Sequence, residues 1–409
     1  MSGYPSRALQ PLWPGLRQRE LLQMVVIDLA VDENAQEIFE TLNARGAQLT
    51  AADLIKNFIF QRLLETGTDV EEAYQNYWKE FETAFWETEI SLGRLSYPRS
   101  AVFLNHWLIA QTGEEVVARE VFDRFKRFAD HESGLPMLTL LRQVRAAAAI
   151  YRQFITAGST YTGPADRLAL FAYRTSVLES EVIKPLILHL LDPEKPSIAG
   201  TQLVKALDTV ESWMVRRMLV RATTKNYNQA IAELVGLLRR TDRANAGEVV
   251  EMFLVGQSSV SRYWPDDAEL ERELRVLPAY RRLGRGRLRM VLEAIEDHQR
   301  GWIKDHQALG GERVQRGKLA IEHVMPGRWH AHWPLNGQRD ADRDDIIHTI
   351  GNLTLLTGRL NSKISNGPWS GSGGKRAALE GHDVLMLNRD ILKKAGDRWT
   401  DALGRELIN

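Results

Sequence analysis

The 409-residue sequence contains no cysteine. Without cysteine the chain can form no disulfide bond and no zinc site with thiolate ligands. Any metal site must therefore be built from histidine, carboxylate or amide side chains. The absence of disulfides fits a reducing compartment, and we expect a cytoplasmic protein.

The sequence also lacks an excess of either charge and any long apolar segment. Lys plus Arg and Asp plus Glu both number 53, so a site for a polyanion has to be a local cluster of charge. No segment has the apolar length of a signal peptide core or of a transmembrane helix. We therefore expect a soluble protein without a membrane partner, and the length predicts two or three domains.

Helical periodicity dominates the chain from about residue 30 to residue 300. Residues 31–65 predict two helices, of which the second begins at Thr50, with Asp53 completing a capping box. Its buried face is predicted to contain Leu54, Ile55, Phe58 and Ile59. No strand-like alternation recurs in this region, so we predict an all-α body.

Arginines cluster at two places in this helical region. Residues 210–238 carry Arg216, Arg217 and Arg221 on a helix face that we expect to be solvated. A second cluster, residues 281–289, is one candidate for phosphate contact, because guanidinium groups bind phosphates through planar pairs of hydrogen bonds. The alternative is an arginine-rich helix start whose charges pair with Glu293 and Glu296.

The C-terminal region holds most of the histidines and two further motifs. Six of the ten histidines lie after residue 300, and histidine suits proton transfer near neutral pH. EHVMP (322–326) is predicted to end a strand, NLTLLT (352–357) to form a second strand, and GRLNSKISN (358–366) to form a short helix. This order can bring the side chains of Glu322, His323 and Asn361 around one point.

These residue types suit phosphodiester chemistry. Oxygen ligands such as Glu322 and Asn361 can hold a divalent ion with open positions for phosphate and water. A neighbouring imidazole, that of His323, can deprotonate the attacking water. The segment from Gly351 to Arg376 contains no acidic residue and four basic ones: Arg359, Lys363, Lys375 and Arg376.

Together, EHVMP, GNLTLL and LNSKISN resemble the ββα-metal nuclease motif, also called His-Asn-His or His-Me finger. More narrowly, they resemble the C-terminal nuclease domain of GmrSD-type and SspE-type restriction proteins. EIFETLNARGAQLTAADLIKNFIF and WMVRRMLVRATTKNYNQ resemble the back half of the same family's N-terminal module. The resemblance implies a mainly α protein with a small C-terminal ββα-metal domain, acting as a metal-dependent DNA endonuclease in restriction of foreign DNA.

The resemblance also implies roles for single residues. His323 is expected to be the general base, Glu322 and Asn361 to bind Mg²⁺ or Mn²⁺, and Asn352 to orient the loop after His323. Lys363 or Lys375 is expected to hold the scissile phosphate. An asparagine at the third motif position favours an oxygen-preferring ion over zinc. The residues expected to contact DNA are Arg359, Lys375, Arg376, Arg281, Arg282 and Arg285.

Three domains are predicted: residues 1–65 as the remnant of an N-terminal sensor module, 66–300 as an α-helical domain and 301–409 as the nuclease domain. Family members usually begin with a sensor domain that carries an Asp-Gly-Gln-Gln-Arg motif, which this sequence lacks. We therefore expect no nucleotide hydrolysis by this chain itself. Its expected partners are double-stranded DNA and a separate sensor or NTPase subunit (or a missing N-terminal domain), and a homo-oligomer stays open.

Two other functions use the same residues. One is a non-catalytic helical subunit that binds DNA or another protein, and the other is an RNA-cleaving toxin with the same chemistry. The retained Glu322, His323 and Asn361 favour a nuclease over the first, whereas the sequence does not separate DNA from RNA. A three-histidine zinc site formed by His323, His330 and His332 is a further alternative. His348 is expected at a strand edge.

Overall fold

The computed structural model describes residues 49–159, 166–301, 313–333, 340–358, 360, 366–381, 384–395, 399–400 and 403–404. Thr50–Asn409 form one compact unit. The described part of this unit is mainly helical, with two small two-stranded sheets, which confirms the predominantly helical class. Among the described residues, no helix has both the length and the apolar composition needed to cross a membrane.

The elements follow one another in a simple order along the chain. The helices of the first half are α1 (Ala51–Glu65), α2 (Val70–Ala73), α3 (Ala84–Glu87), α4 (Arg99–Thr112), α5 (Val121–Arg127), α6 (Met137–Ser159), α7 (Arg167–Val177), α8 (Lys184–Leu190) and α9 (Gly200–Leu219). The later helices are α10 (Tyr227–Leu238), α11 (Ala246–Val255), α12 (Asp267–Val276), α13 (Ala279–Arg282), α14 (Arg285–Gln299), α15 (Asp340–Ile346), α16 (Lys375–Glu380) and α17 (Met386–Ala395). The strands are β1 (Glu89–Leu92), β2 (Leu95–Pro98), β3 (Ala320–His323) and β4 (Leu353–Leu356).

The second of the two helices predicted over residues 31–65, α1, begins where the sequence predicts it, whereas the first lies outside the described residues. Thr50 accepts a hydrogen bond from the backbone N–H of Asp53, and the Asp53 carboxylate accepts one from the backbone N–H of Thr50 (3.2 and 3.0 Å). This capping box satisfies two N–H groups that a helix start otherwise leaves unpaired. The apolar face then packs into the core, where Ile55, Phe58 and Ile59 are buried.

A hairpin interrupts the otherwise helical body. Strands β1 and β2 pair antiparallel, and Leu92 opposite Leu95 leaves a two-residue turn at Gly93 and Arg94. Gly93 has φ of +68°, a conformation that glycine adopts without steric cost. The all-α prediction was wrong at this point, because each strand has only four residues and too little buried apolar alternation to be recognised.

Helix α14 joins the helical body to the two C-terminal strands. Its apolar residues Leu288 and Leu292 share one hydrophobic cluster with Leu353 and Leu355 of β4. Burial of such side chains contributes roughly 1.5–3 kcal/mol each. The position of the sheet therefore depends on the same helix that begins with the arginine cluster.

A second face of α14 carries buried carboxylates. Glu293 accepts hydrogen bonds from the Tyr173 hydroxyl and the Gly317 backbone N–H (2.9 and 2.7 Å). Glu296 accepts hydrogen bonds from two backbone N–H groups at the start of α17 (2.9 and 2.8 Å). Asp297 accepts a bond from the Val314 backbone N–H at 3.0 Å. These carboxylates hold the segment before β3 and the start of α17 against the helix.

The three arginines of residues 210–238 do not share the solvated helix face that the sequence predicts. Arg217 is fully buried. Arg216 pairs with Asp267 at 2.5 Å, and Arg221 is exposed beyond the end of the helix. Helical spacing placed all three on one polar face, but the segment around Ser261–Tyr263 covers part of that face.

Candidate functional site

Strands β3 and β4 place the predicted motifs side by side. They pair antiparallel, with Glu322 opposite Thr354 and His323 opposite Leu353. A 3-10 turn, Ile350–Asn352, leads into β4, so the second strand begins one residue later than predicted. The helix predicted over 358–366 lies almost wholly outside the described residues.

Asn352 fixes the chain that leaves β3. Its side-chain oxygen accepts a hydrogen bond from the Met325 backbone N–H at 2.8 Å. Its amide nitrogen donates to the carbonyls of Met325 and Ile347, both at 2.9 Å. The side chain is 1% exposed, and the backbone of the same residue accepts from the Val324 N–H at 2.9 Å. One asparagine therefore ties the segment after His323 to the turn before β4.

The His323 imidazole lies in a cluster of aromatic and cationic groups. Its Nε2 is 3.3 Å from Nδ1 of His348, and its ring meets the Tyr280 ring edge-on with centroids 4.1 Å apart. Burial, with further contributions from His348, Lys375, Arg285 and Arg281, lowers the pKa of His323 to about 3. The ring is therefore neutral at neutral pH and free of a proton on one nitrogen.

Sequence reasoning missed Tyr280 and misplaced His348. His348 lies in the turn after α15 rather than at a strand edge, and burial lowers its pKa as well. Its carbonyl accepts a hydrogen bond from the Tyr280 backbone N–H at 3.0 Å. The Arg285 guanidinium stacks 3.4 Å from the Tyr280 ring centroid and also donates to the Tyr280 carbonyl. The only sequence indication of this arrangement is that Tyr280 directly precedes the arginine cluster.

Glu322 is engaged by a buried lysine. Nζ of Lys375 donates to Oε1 of Glu322 at 2.7 Å and to the His323 carbonyl at 2.6 Å. The Lys375 residue is 1% exposed, and burial lowers the pKa of its ammonium. The prediction that Lys375 contacts DNA or the scissile phosphate is therefore corrected. Lys375 opens α16, which turns its side chain inward onto the two motif residues of β3.

The arginine cluster divides into an exposed set and a structural set. Arg281, Arg282 and Arg285 are exposed, and Arg281 and Arg285 act electrostatically on both histidines. Arg287 instead pairs with Glu179 at 3.1 Å, and Arg289 donates to the Leu319 carbonyl at 2.7 Å. Of the alternative pairing with Glu293 and Glu296, the structure shows an electrostatic effect of Arg289 on Glu293, whereas the hydrogen bonds of the two carboxylates hold other segments.

Several predicted residues lie elsewhere. Arg359, Asn361 and Lys363 fall outside the described residues. Arg376 lies on α16, where Nε donates to Glu380 at 2.9 Å.

The zinc alternative fails on the described residues. They contain no group of three or more histidine, cysteine or acidic side chains placed to hold a metal ion. His330 instead stacks on Trp329 with ring centroids 3.9 Å apart.

Comparison with known proteins identifies the region that contains this site. Residues 264–403 match a family described as GmrSD restriction endonucleases, C-terminal domain. The matched span includes α13 and α14, both strands of the small sheet and the Glu322–His323 pair. A search among curated proteins returned no match to this chain.

Proposed function

We propose that the chain hydrolyses phosphodiester bonds of double-stranded DNA, because residues 264–403 match the family described as GmrSD restriction endonucleases, C-terminal domain. The observation that carries the proposal is the neutral imidazole of His323. His323 directly follows Glu322 on β3, and its imidazole lies within the field of two exposed arginines, Arg281 and Arg285. A general base, an oxygen ligand for a metal ion and phosphate-binding groups are the components that such a hydrolysis needs.

In this proposal His323 accepts a proton from the attacking water. A pKa of about 3 makes the ring neutral but also a weak base, and general bases are most effective with a pKa near the working pH. Binding of a phosphate by Arg281 and Arg285 cancels part of the positive charge that lowers this pKa. The base therefore becomes stronger when substrate is bound, and Tyr280 and His348 hold the ring in place.

We propose that a divalent ion, Mg²⁺ or Mn²⁺, binds at Glu322. The donor chemistry fits, because a carboxylate oxygen is the ligand type that these ions prefer. The same carboxylate already accepts a cationic group, the ammonium of Lys375, at 2.7 Å. When bound, such an ion polarises a phosphate oxygen and lowers the pKa of a coordinated water. Asn361, the second proposed ligand, lies outside the described residues.

Other residues act by positioning in this scheme. Asn352 fixes the segment that follows His323 through three side-chain hydrogen bonds. Lys375 holds the Glu322 carboxylate and the His323 carbonyl, and thereby fixes the Glu322 side chain and the backbone at His323. Arg282, together with Arg359 and Lys363 of the neighbouring basic segment, is proposed to contact the DNA backbone.

The proposal is tested with purified full-length protein and supercoiled plasmid, incubated with Mg²⁺, with Mn²⁺ or with EDTA. We expect nicked or linear DNA with either ion and intact plasmid with EDTA. A matched reaction on single-stranded RNA of the same length tests the alternative that the chain is an RNA-cleaving toxin. Binding of plasmid without cleavage under any of these conditions would favour the non-catalytic subunit.

A further inference from the structure

The helical body contains an open cavity of about 940 Å³. It lies among α4, the turn that follows α7, the end of α9, the start of α10 and α13. Its walls are partly apolar, with Ile109, Met214 and Met218 among the lining residues. Cavities of roughly 300–1,000 Å³ with apolar walls and a few polar groups are typical of small-molecule sites. Nothing in the proposed cleavage reaction uses this space.

The backbone around the cavity is strained. Within the described residues, three non-glycine residues have left-handed backbone conformations: Glu179, Arg221 and Asn226, with φ of 57°, 58° and 69°. All three line this cavity. Glu179 and Arg221 each follow a helix end that is closed by a backbone hydrogen bond, from the Ser180 N–H to the Thr175 carbonyl and from the Ala222 N–H to the Arg217 carbonyl. Helix termination therefore accounts for both conformations, in a position that glycine usually occupies.

A buried histidine that lines the same cavity has one ring nitrogen without a hydrogen-bond partner among the described residues. His106 on α4 is 5% exposed, and its Nδ1 has no hydrogen-bond partner in the part of the chain that the structure describes. Burial lowers the pKa of this imidazole well below its usual value, so the ring is neutral. Buried polar atoms are nearly always hydrogen-bonded in folded proteins. Nδ1 has almost no accessible surface of its own, so a ligand in the cavity can supply the missing partner only after the ring rotates.

Three cations line the cavity where it opens to solvent. Arg221, Lys225 and Arg282 are exposed, and none of them pairs with a carboxylate among the described residues. Arg282 is adjacent in the chain to Arg281, which acts on the His323 imidazole. The cavity opening therefore adjoins the candidate nuclease site along α13.

We propose that this cavity binds one nucleotide. The phosphate lies against the cations at the opening, and the base lies between the apolar walls and hydrogen-bonds to Nδ1 of His106. Continuity with Arg281 points to a nucleotide that is extruded from the bound DNA strand, as enzymes that read a single base do. A free nucleotide has the same chemistry and is the other source. The assignment of the nucleotide to bound DNA rests on the proposed nuclease function. The proposal that the cavity binds a nucleotide does not depend on that function.

The test compares binding of two kinds of probe in EDTA, which prevents cleavage. One is a 20-base-pair duplex with or without a single unpaired central nucleotide, and the other is each free deoxynucleoside monophosphate. The key variant is Arg221→Gly, which removes a cation and also suits the left-handed backbone. We expect about 10-fold weaker binding of the bulged duplex, a change of about one decade in Kd. We also expect a melting temperature about 1–3 °C higher, because glycine relieves the strain.

Two further variants sharpen the result. His106→Leu removes the hydrogen-bonding ring and is expected to weaken binding of the same probe, while Arg272→Ala, at an exposed arginine on α12, leaves it unchanged. If the wild type binds the bulged duplex more tightly than the paired duplex and Arg221→Gly loses this preference, the bound nucleotide comes from the DNA strand. If the wild type binds the free monophosphates and the variants bind them more weakly, the ligand is a free nucleotide.

Unchanged binding of both probes by Arg221→Gly and His106→Leu overturns the proposal. A wild-type protein that cuts no DNA, yet binds a probe in this variant-sensitive way, contradicts only the nuclease function.

Discussion

The Arg217 side chain is buried, yet it makes four hydrogen bonds with its five N–H donors. Its guanidinium donates to the Tyr227 hydroxyl at 2.9 Å and to the backbone carbonyls of Tyr263, Thr223 and Ser261 at 2.7, 2.7 and 2.9 Å. Three aromatic rings surround the group within 5.6 Å. A planar fork of five donors suits such a site, whereas an ammonium cannot reach all of these acceptors.

Replacing Arg217 with Ala should destabilise the fold strongly. It leaves three partly buried carbonyls and the Tyr227 hydroxyl without their donors and removes a fully buried side chain, and we expect a loss of about 3–5 kcal/mol in the free energy of unfolding. Arg217→Lys should recover only part of this loss. Arg216→Ala is the matched control, because its ion pair with the exposed Asp267 contributes about 1 kcal/mol or less. Urea unfolding measures all three, and equal losses at both positions would contradict this assignment.

Buried histidines should make stability fall in acid. Burial lowers the pKa of His189 to about 4, so below about pH 6.5 the unfolded chain binds a proton that the folded chain does not. This contribution is complete above pH 6.5 and is lost as the pH falls toward 4. For His189 alone the loss between pH 7.5 and pH 5 is about 2 kcal/mol.

Denaturant unfolding at the two pH values measures this effect. We expect His189→Gln to flatten the dependence, since glutamine does not titrate. The exposed His131, replaced by Ala, should leave the dependence as it is in the wild type. A slope that is identical in the wild type and in His189→Gln would rule out this source of acid sensitivity.

At the scale of the elements, α14 is the helix on which the site depends. Its first residue, Arg285, stacks on Tyr280, its apolar face packs on β4, and its carboxylates hold the start of α17. Glu296→Ala should leave two backbone N–H groups of α17 without acceptors and cost about 3 kcal/mol. Glu296→Gln keeps an acceptor oxygen and is expected to cost less.

Hydrogen exchange across residues 386–395 locates the effect of these two variants. Faster exchange there in Glu296→Ala than in Glu296→Gln is the expected result, because α17 loses its attachment to α14. Exchange that rises equally along the whole chain would mean that Glu296 supports the fold in general and not this contact.

Local patterns predicted the elements of the site, but not its neighbours. Thr50 and Asp53 predicted the start of α1 because a capping box involves residues three apart. The apolar and β-branched residues of NLTLLT predicted β4 for a similar local reason. Tyr280, His348 and Lys375 contact the Glu322–His323 pair from sequence distances of 25 or more residues. Such contacts depend on how α14 and α16 pack, which no periodicity within one segment contains.

At the scale of the whole molecule, zero formal net charge coexists with a local basic face. Arg281→Ala combined with Arg285→Ala should weaken binding to all DNA sequences alike. Each lost phosphate contact should reduce the slope of log K against log salt concentration by about 0.9, or about 2 in total. Arg119→Ala with Arg272→Ala removes the same charge from exposed positions elsewhere and serves as the control. A salt slope unchanged by the first pair would remove these arginines from the DNA interface.

The central claim is that His323 is the base of a phosphodiester hydrolysis. Its most direct test is the rate of plasmid nicking in Mg²⁺ by His323→Ala, with DNA binding measured in EDTA and with His131→Ala as the control. Loss of a general base costs about 10²–10⁴ in rate. We predict a reduction of that size for His323→Ala with unchanged DNA binding, and wild-type nicking by His131→Ala. Nicking by His323→Ala at near the wild-type rate would contradict the account.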